Sequence, residues 1–397
     1  MSLAIRGAAQ VLRFPEDGLP YLRHDRAAEL TLEPGDVELD GAGAELDASG
    51  CAVLPGLVDC HTHLPFAGWR AEEYERKVTG VPYEEIARLG GGIASSARAL
   101  AAAPDAEVLA QAEGLAGELL RHGTTAFEGK TGYGLSRDGE ARAARLGQEL
   151  AARVVQPMRV TGLFAHAVPP GFTAASWMDE AEALARTCDV DALDIFVESV
   201  AFGLEQLDRM GAIAAEIGLP LRAHVEQLST MRSVPMALRH GARSVDHLSV
   251  IHPDDVGPLA ASETAAVLLP GAELMNAEAL PPARALADAG AIGVLATDLN
   301  PGTSPIASMP VIVGLAVRRY GWSVREALLA ATLNGAWVLD MSRELGSLEP
   351  GKRADVLVLD GPAEHVPYRF GHNPVAIAIS GGEVAWVRPD QAWRVRP

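Results

Sequence analysis

Residues 56–63 read GLVDCHTH, a short apolar run that ends in two histidines two positions apart. Side chains at i and i+2 of a strand point to the same face, so a strand here would aim His61 and His63 at one ion. An HxH pair also occurs on solvated strands, and its meaning depends on what surrounds it. Outward from it the chain repeats one texture. Apolar or β-branched runs at 124–129 (TTAFEG), 158–165 (MRVTGLFA), 191–197 (DALDIFV), 220–225 (PLRAHV), 242–247 (ARSVDH), 264–269 (TAAVLL) and 291–297 (AIGVLAT) alternate with Ala-, Leu- and Glu-rich segments of helical spacing, such as 105–123 and 204–219. With 56–61 these make eight strands, and eight strands alternating with helices predict a (β/α)8 barrel.

The two ends differ from the middle. Residues 1–54 and 346–397 read as short strands joined by Gly-, Asp- and Pro-rich turns. The expected class is therefore α/β, a TIM-like (β/α)8 barrel over 55–345 with a small β-sandwich domain built from both chain ends.

Composition narrows the function classes. The 397 residues are 48% hydrophobic and 21% charged, the profile of a folded globular chain. Thirty-three Lys and Arg against fifty-two Asp and Glu give a net charge of −19, which repels phosphate backbones and anionic lipid heads, so neither nucleic acid nor a membrane is an expected partner. No apolar run reaches the roughly 18 residues of a spanning helix, and the first residues lack the long apolar segment of a signal peptide, so a cytoplasmic protein is expected. Cys51, Cys60 and Cys188 are scattered, without a CxxC pair, so a metal here would rest on nitrogen and oxygen ligands.

Such ligands stand in one place. His224 closes the fifth expected strand, His247 closes the sixth, and Asp298 follows the eighth. Each has a plain structural reading, a packed histidine or a capping aspartate, but all lie with His61 and His63 at the C-terminal rim where barrel enzymes assemble their sites. Imidazole nitrogens with one carboxylate oxygen suit zinc or iron, and they do not form the oxygen cage of calcium or magnesium. An ion so held ionises water near neutral pH, which implies hydrolysis.

The arrangement resembles the amidohydrolase superfamily. The blocks VDCHTHLPFAGWR, GGGI (90–93), GTTAFEGKTGYGLSRDGE, AHAVPP, DIFVES, HVEQLS, VDHLS, VLLPGAE, ATDLNPGTSP and LEPGKRADVLVLD are similar to those of its imidazolonepropionase family, over residues 50 to 360. The resemblance implies one zinc or iron ion per chain on His61, His63, His224 and Asp298. It implies that His247 polarises the ring carbonyl, and that Asp298 orients the attacking water and passes its proton to the departing nitrogen. The implied substrate is a small anionic cyclic amide, 4-imidazolone-5-propanoate, opened to N-formimino-L-glutamate in histidine degradation. Arg70 is the expected anchor of its carboxylate, with Tyr133, His166, Gln227, Asn300 and Gly302 as further substrate contacts, and relatives suggest a homodimer.

Two departures from the family pattern carry expectations of their own. Gln227 stands three residues after His224, where some relatives have a glutamate base, so either Glu226 reaches the water or Asp298 acts alone; strand alternation would put Glu226 on the side of His224. Glu273–Asn276 replaces an aromatic pair at positions expected to border the pocket. Lys130 is expected to help hold the substrate carboxylate or to face solvent. The alternative functions are a deaminase on the same scaffold and a hydrolase of another cyclic ureide or imide.

Overall fold

In the computed structural model, which describes residues 2–41, 43–81 and 91–396, four strands lead the chain: Ser2–Arg13 (β1), Thr31–Asp40 (β2), Glu45–Asp47 (β3) and Ala52–Pro55 (β4). Eight more follow as Leu57–Asp59 (β5), Thr124–Lys130 (β6), Met158–Ala165 (β7), Ala192–Val197 (β8), Leu221–Val225 (β9), Ser244–His247 (β10), Ala265–Leu268 (β11) and Ile292–Leu295 (β12). The last four are Val356–Leu359 (β13), Val375–Ser380 (β14), Glu383–Val387 (β15) and Val395–Arg396 (β16). Strands β5 to β12 pair in chain order, every pair parallel. Nearly every residue in them is buried, as strands covered by side chains on one face and helices on the other must be.

The barrel closes just past the ends of its first and last strands. The Asp298 N–H donates to the His61 carbonyl and the His63 N–H to the Leu299 carbonyl, each at 2.9 Å. This seam joins two of the histidines to the aspartate by backbone alone.

Amphipathic helices form the outer ring. In Asp105–Arg121 the buried residues Val108, Leu109, Ala112, Ala116, Leu119 and Leu120 recur at helical spacing and cover one face. Leu204–Ile217 behaves the same way and stops at Gly218, whose φ of +75° is the left-handed cap that glycine adopts without strain.

Both chain ends meet in one curled eight-stranded sheet of order β15-β14-β13-β4-β1-β3-β16, with β2 on β1, over a separate core of Leu3, Ile5, Val11, Val53, Val356 and Ile377. Strand β4 passes into barrel strand β5 through Gly56. A Cβ there would stand 1.8 Å from the Thr125 hydroxyl, so only glycine lets the chain turn from one sheet into the other. The sheet and barrel architecture read from the sequence is the one observed. No helix among the described residues is long and apolar enough to cross a membrane.

Candidate metal centre and active site

Strand ends of the barrel bring His61, His63, His224, His247 and Asp298 together, all at most 3% exposed. Donor atoms of His61, His63 and Asp298 lie within 4.8 Å of one another, and so do those of His61, His224 and His247. Asp298 Oδ1 stands 3.2 Å from His63 Nε2 and 3.5 Å from His61 Nε2. Burial and the neighbouring positive groups hold His61, His63 and His247 well below the ordinary imidazole range, so they are neutral and carry free lone pairs. Burial pushes the Asp298 carboxyl up to about 7.

A second ring of groups sets which nitrogen is free. His61 Nδ1 is 2.6 Å from Asp246 Oδ2, and His224 Nδ1 is 3.1 Å from Asp194 Oδ1. With Nδ1–H donated to a carboxylate, Nε2 of each ring presents its lone pair to the cluster. Both Nε2 atoms are buried and have no hydrogen-bond partner. A buried nitrogen without a partner is destabilising unless something fills its place. The charges tell the same story. Lys130 and Arg222 are the buried cations beneath the cluster, against the carboxylates of Glu128, Asp194, Asp246 and Asp298. A divalent ion would offset this excess of buried carboxylates over buried cations, so the residues present fit zinc or iron in donor type and in the sign of the charge they need.

Two of these positions are held in unusual backbone conformations. His247 has φ +78° and Asp298 φ +54°, left-handed values that non-glycine residues adopt only where their surroundings impose them.

Above the cluster lies a cavity of about 840 Å³ whose walls include Arg70, Tyr133, His166, Gln227, Asn300 and Gly302 as well as His63, His224, His247 and Asp298. The Arg70 guanidinium is largely unspent: Nε has no hydrogen-bond partner, Nη1 reaches the Ser96 hydroxyl at 3.4 Å, and Glu73 stands at 3.7 Å. Gly302 makes room for it, since a Cβ at that position would lie 1.7 Å from Arg70 Nη2. Burial pushes the Tyr133 phenol up, keeping it a donor, and its ring lies 5.9 Å from that of His63. His166 stacks on His63 at 5.4 Å and shares a hydrogen bond with the Gly132 carbonyl at 3.0 Å. Asn300 is spent on its own turn, donating to the Asp298 carbonyl at 2.7 Å and accepting from the Gly302 and Thr303 N–H groups at 2.9 and 2.7 Å. It shapes the rim by holding Asp298. Of the GGGI stretch, Gly90 lies outside the described residues, while Gly92 and Ile93 line the cavity.

Three expectations are corrected by position. Glu226 does not join the centre: its carboxylate accepts from the Met231 N–H at 3.0 Å and from the Ser233 N–H and hydroxyl at 2.7 and 2.6 Å. Alternation fails for it because β9 ends at Val225 and Glu226, at φ +53°, turns out of the strand. Lys130 neither faces solvent nor lines the cavity; it is fully buried among Asp194, Glu128 and Asp246. Within Glu273–Asn276, Asn276 borders the cavity, whereas Glu273 points away and accepts from the Tyr320 hydroxyl at 2.5 Å. The residues that the sequence left unmarked are Asp194, Asp246 and Glu278, the last of which accepts from the Gln227 amide at 3.1 Å in the cavity wall. Asp246, adjacent to His247 in VDHLS, and Asp194, which opens DIFVES, stood in blocks the sequence already singled out.

Comparison with known proteins agrees with this geometry. A model of the amidohydrolase family matches residues 52–385. The imidazolonepropionase of Rubrobacter xylanophilus is 45% identical over 358 residues, 88% of this chain and 86% of that protein. That of Paracoccus denitrificans is 39% identical over 401 residues, 95% and 98% of the two chains. Among solved structures, a zinc-bound adenosine deaminase from Xanthomonas campestris superposes with a TM-score of 0.69 at 18% identity, over 97% of this chain and 93% of that one. A guanine deaminase from C. acetobutylicum does so with a TM-score of 0.71 at 14% identity, over 97% and 100%. The solved structures share the fold, and the family model and the curated relatives share the sequence over most of the chain: this chain belongs to the amidohydrolase family and, within it, to the imidazolonepropionases.

Proposed function

We propose that the protein hydrolyses 4-imidazolone-5-propanoate to N-formimino-L-glutamate, with one zinc or iron ion held by His61, His63, His224 and Asp298. The observation that carries the reading is the pairing of a hydrolytic cluster with an unspent, half-buried guanidinium, Arg70, in the wall of the same cavity. When bound, the ion lowers the pKa of water from about 15.7 toward 7. The chain's own residues do the rest. Arg70 and the Tyr133 phenol hold the propionate, which places the ring over Asp298 and His247. Water adds its oxygen to the ring carbonyl carbon while the bond from that carbon to nitrogen breaks. Asp298 takes the proton from the water and gives it to the departing nitrogen, so one water is consumed and nothing else is released. His247 stabilises the developing oxyanion, and His166 packs beside the ring. Asp298 acts without help from Glu226, whose lone pairs are committed to the 231–233 backbone. The buried Cys51 and Cys60 and half-buried Cys188, all free thiols, suit the reducing cytoplasm.

The test is turnover of freshly generated imidazolone propionate by metal-loaded protein, with ring opening and ammonia measured separately and cyclic ureides and imides run beside it. Ring opening without ammonia is expected. Ammonia release would favour the deaminase reading, and preferred turnover of a ureide or imide would reassign the substrate.

A further inference from the structure

The barrel buries a lysine that the proposed reaction leaves unused. Lys130 sits at the end of β6, fully buried, with its ammonium 2.7 Å from Asp194 Oδ2, 2.9 Å from Glu128 Oε2 and 3.8 Å from Asp246 Oδ2. All three carboxylates are themselves at most 1% exposed. Two of them are the groups that orient His224 and His61, so a single positive charge stands beneath both of those ligands. Glu128 is shared with Arg222 and the Thr161 hydroxyl, and Asp246 Oδ1 has no partner at all.

Three buried carboxylates converging on one point are what a hard divalent cation takes for ligands. Here the point is filled by an ammonium, a compact charge with three N–H donors. Its side chain is anchored on β6, the strand that also carries Glu128, so the positive charge cannot leave. An ammonium carries half the charge of a divalent ion, which leaves the remaining negative charge for the one ion bound above.

We propose that the Lys130 ammonium occupies the position of a second cation: it limits the centre to one metal ion and is the positioning residue that keeps Asp194 and Asp246 aimed at His224 and His61. The inference rests on the proposed metal centre only in that His61 and His224 are loaded first, and its test does not use turnover.

Zinc is loaded into wild type, K130A, K130M and the double variant K130A/D194N, and manganese(II) is then titrated, with bound equivalents read from the loss of the free-ion paramagnetic resonance signal. Manganese is chosen because carboxylate oxygens suit it. The expected result is no additional equivalent in wild type, about one in K130A, and none in K130M, whose side chain fills the space, or in K130A/D194N, which lacks a ligand. A folded K130A that takes up no manganese at millimolar concentration overturns the proposal, as does an equal uptake by wild type. A K130A protein that stays unfolded even when manganese is supplied during expression and refolding overturns it too, because a cation then fails to replace the ammonium.

Discussion

Replacing Gly302 by alanine tests the substrate anchor without touching it. The added Cβ would lie 1.7 Å from Arg70 Nη2, 2.0 Å from Nε and 2.1 Å from Cζ, so the guanidinium must leave its place. What it meets is the far end of a flexible side chain, so the fold loses little, within about 0.5 kcal/mol as for substitutions outside packed features. The substrate loses more. A hydrogen-bonded pair between a guanidinium and a carboxylate contributes about 1.5–3 kcal/mol, which corresponds to a KM higher by about 10- to 150-fold. Because the propionate is remote from the reacting carbon, kcat should change much less than KM. The assay is steady-state ring opening by G302A, R70M and R70M/G302A, with metal content and melting temperature measured on each. Two changes acting through one group are not additive, so the double variant should match R70M. A G302A protein with a KM within twofold of wild type, or a double variant much worse than R70M, would refute Arg70 as the anchor.

The other variants separate roles within the site. H247N should keep one bound ion while kcat falls by about 100- to 1000-fold, as when an oxyanion donor is removed; near-intact turnover would make His247 structural, and loss of the ion would make it a ligand. D246N replaces the charged acceptor of the His61 Nδ1–H with a neutral amide oxygen and should weaken zinc binding by about 10- to 100-fold in a competitive chelator titration. E226Q should lower stability by about 1–3 kcal/mol in denaturant unfolding, since one N–H of the 231–233 turn loses its acceptor, and should leave the pH profile of kcat unchanged; a kcat lower by 100-fold would make Glu226 the base. Burial pushes Glu273 up to about 7 from 4.5, so the native state holds its proton longer than the unfolded chain. The stabilisation this gives is present below 4.5 and lost as pH rises through about 7, on the order of 3 kcal/mol at most. E273Q should therefore show a flatter melting curve between pH 5 and 8 than wild type, in chelator-treated protein; parallel curves would refute the assignment.

The clustering of His61, His63, His224, His247 and Asp298 was legible because each follows an apolar run, and in a barrel the ends of those runs are all at one rim. Local alternation carried that inference as far as Val225 and no further. Glu226 lies one residue beyond its strand, where a left-handed φ redirects the side chain, and no spacing in the sequence reports a single dihedral. Lys130 was illegible for another reason. Its partners come from three different strands, and Asp194 is 64 residues away. A lone cation after a strand reads as solvated until the carboxylates that surround it are known. Glu273 failed for want of its partner: in Pro270–Asn276 it is buried against the Tyr320 hydroxyl, 47 residues on, while Asn276 at the end of the helix borders the cavity.

The backbone that closes the barrel also explains why removal of a ligand side chain can be read as chemistry. His61, His63, Asp298 and Leu299 are joined through main-chain hydrogen bonds at 2.9 Å, which no side-chain substitution deletes. Truncating His61 or Asp298 would remove a proposed donor to the ion and leave the seam in place. The strained φ of Asp298 and His247 points the same way, because a left-handed residue holds its position only when the surrounding backbone dictates it. The fold is thus held by sheet pairing, and a bound ion would enter a frame that the backbone builds. Chelation should accordingly abolish turnover while leaving the cooperative melt of the barrel intact. A chelated protein that melts as a loosely packed state, without a cooperative transition, would mean that the ion builds the frame and that ligand variants report on folding instead.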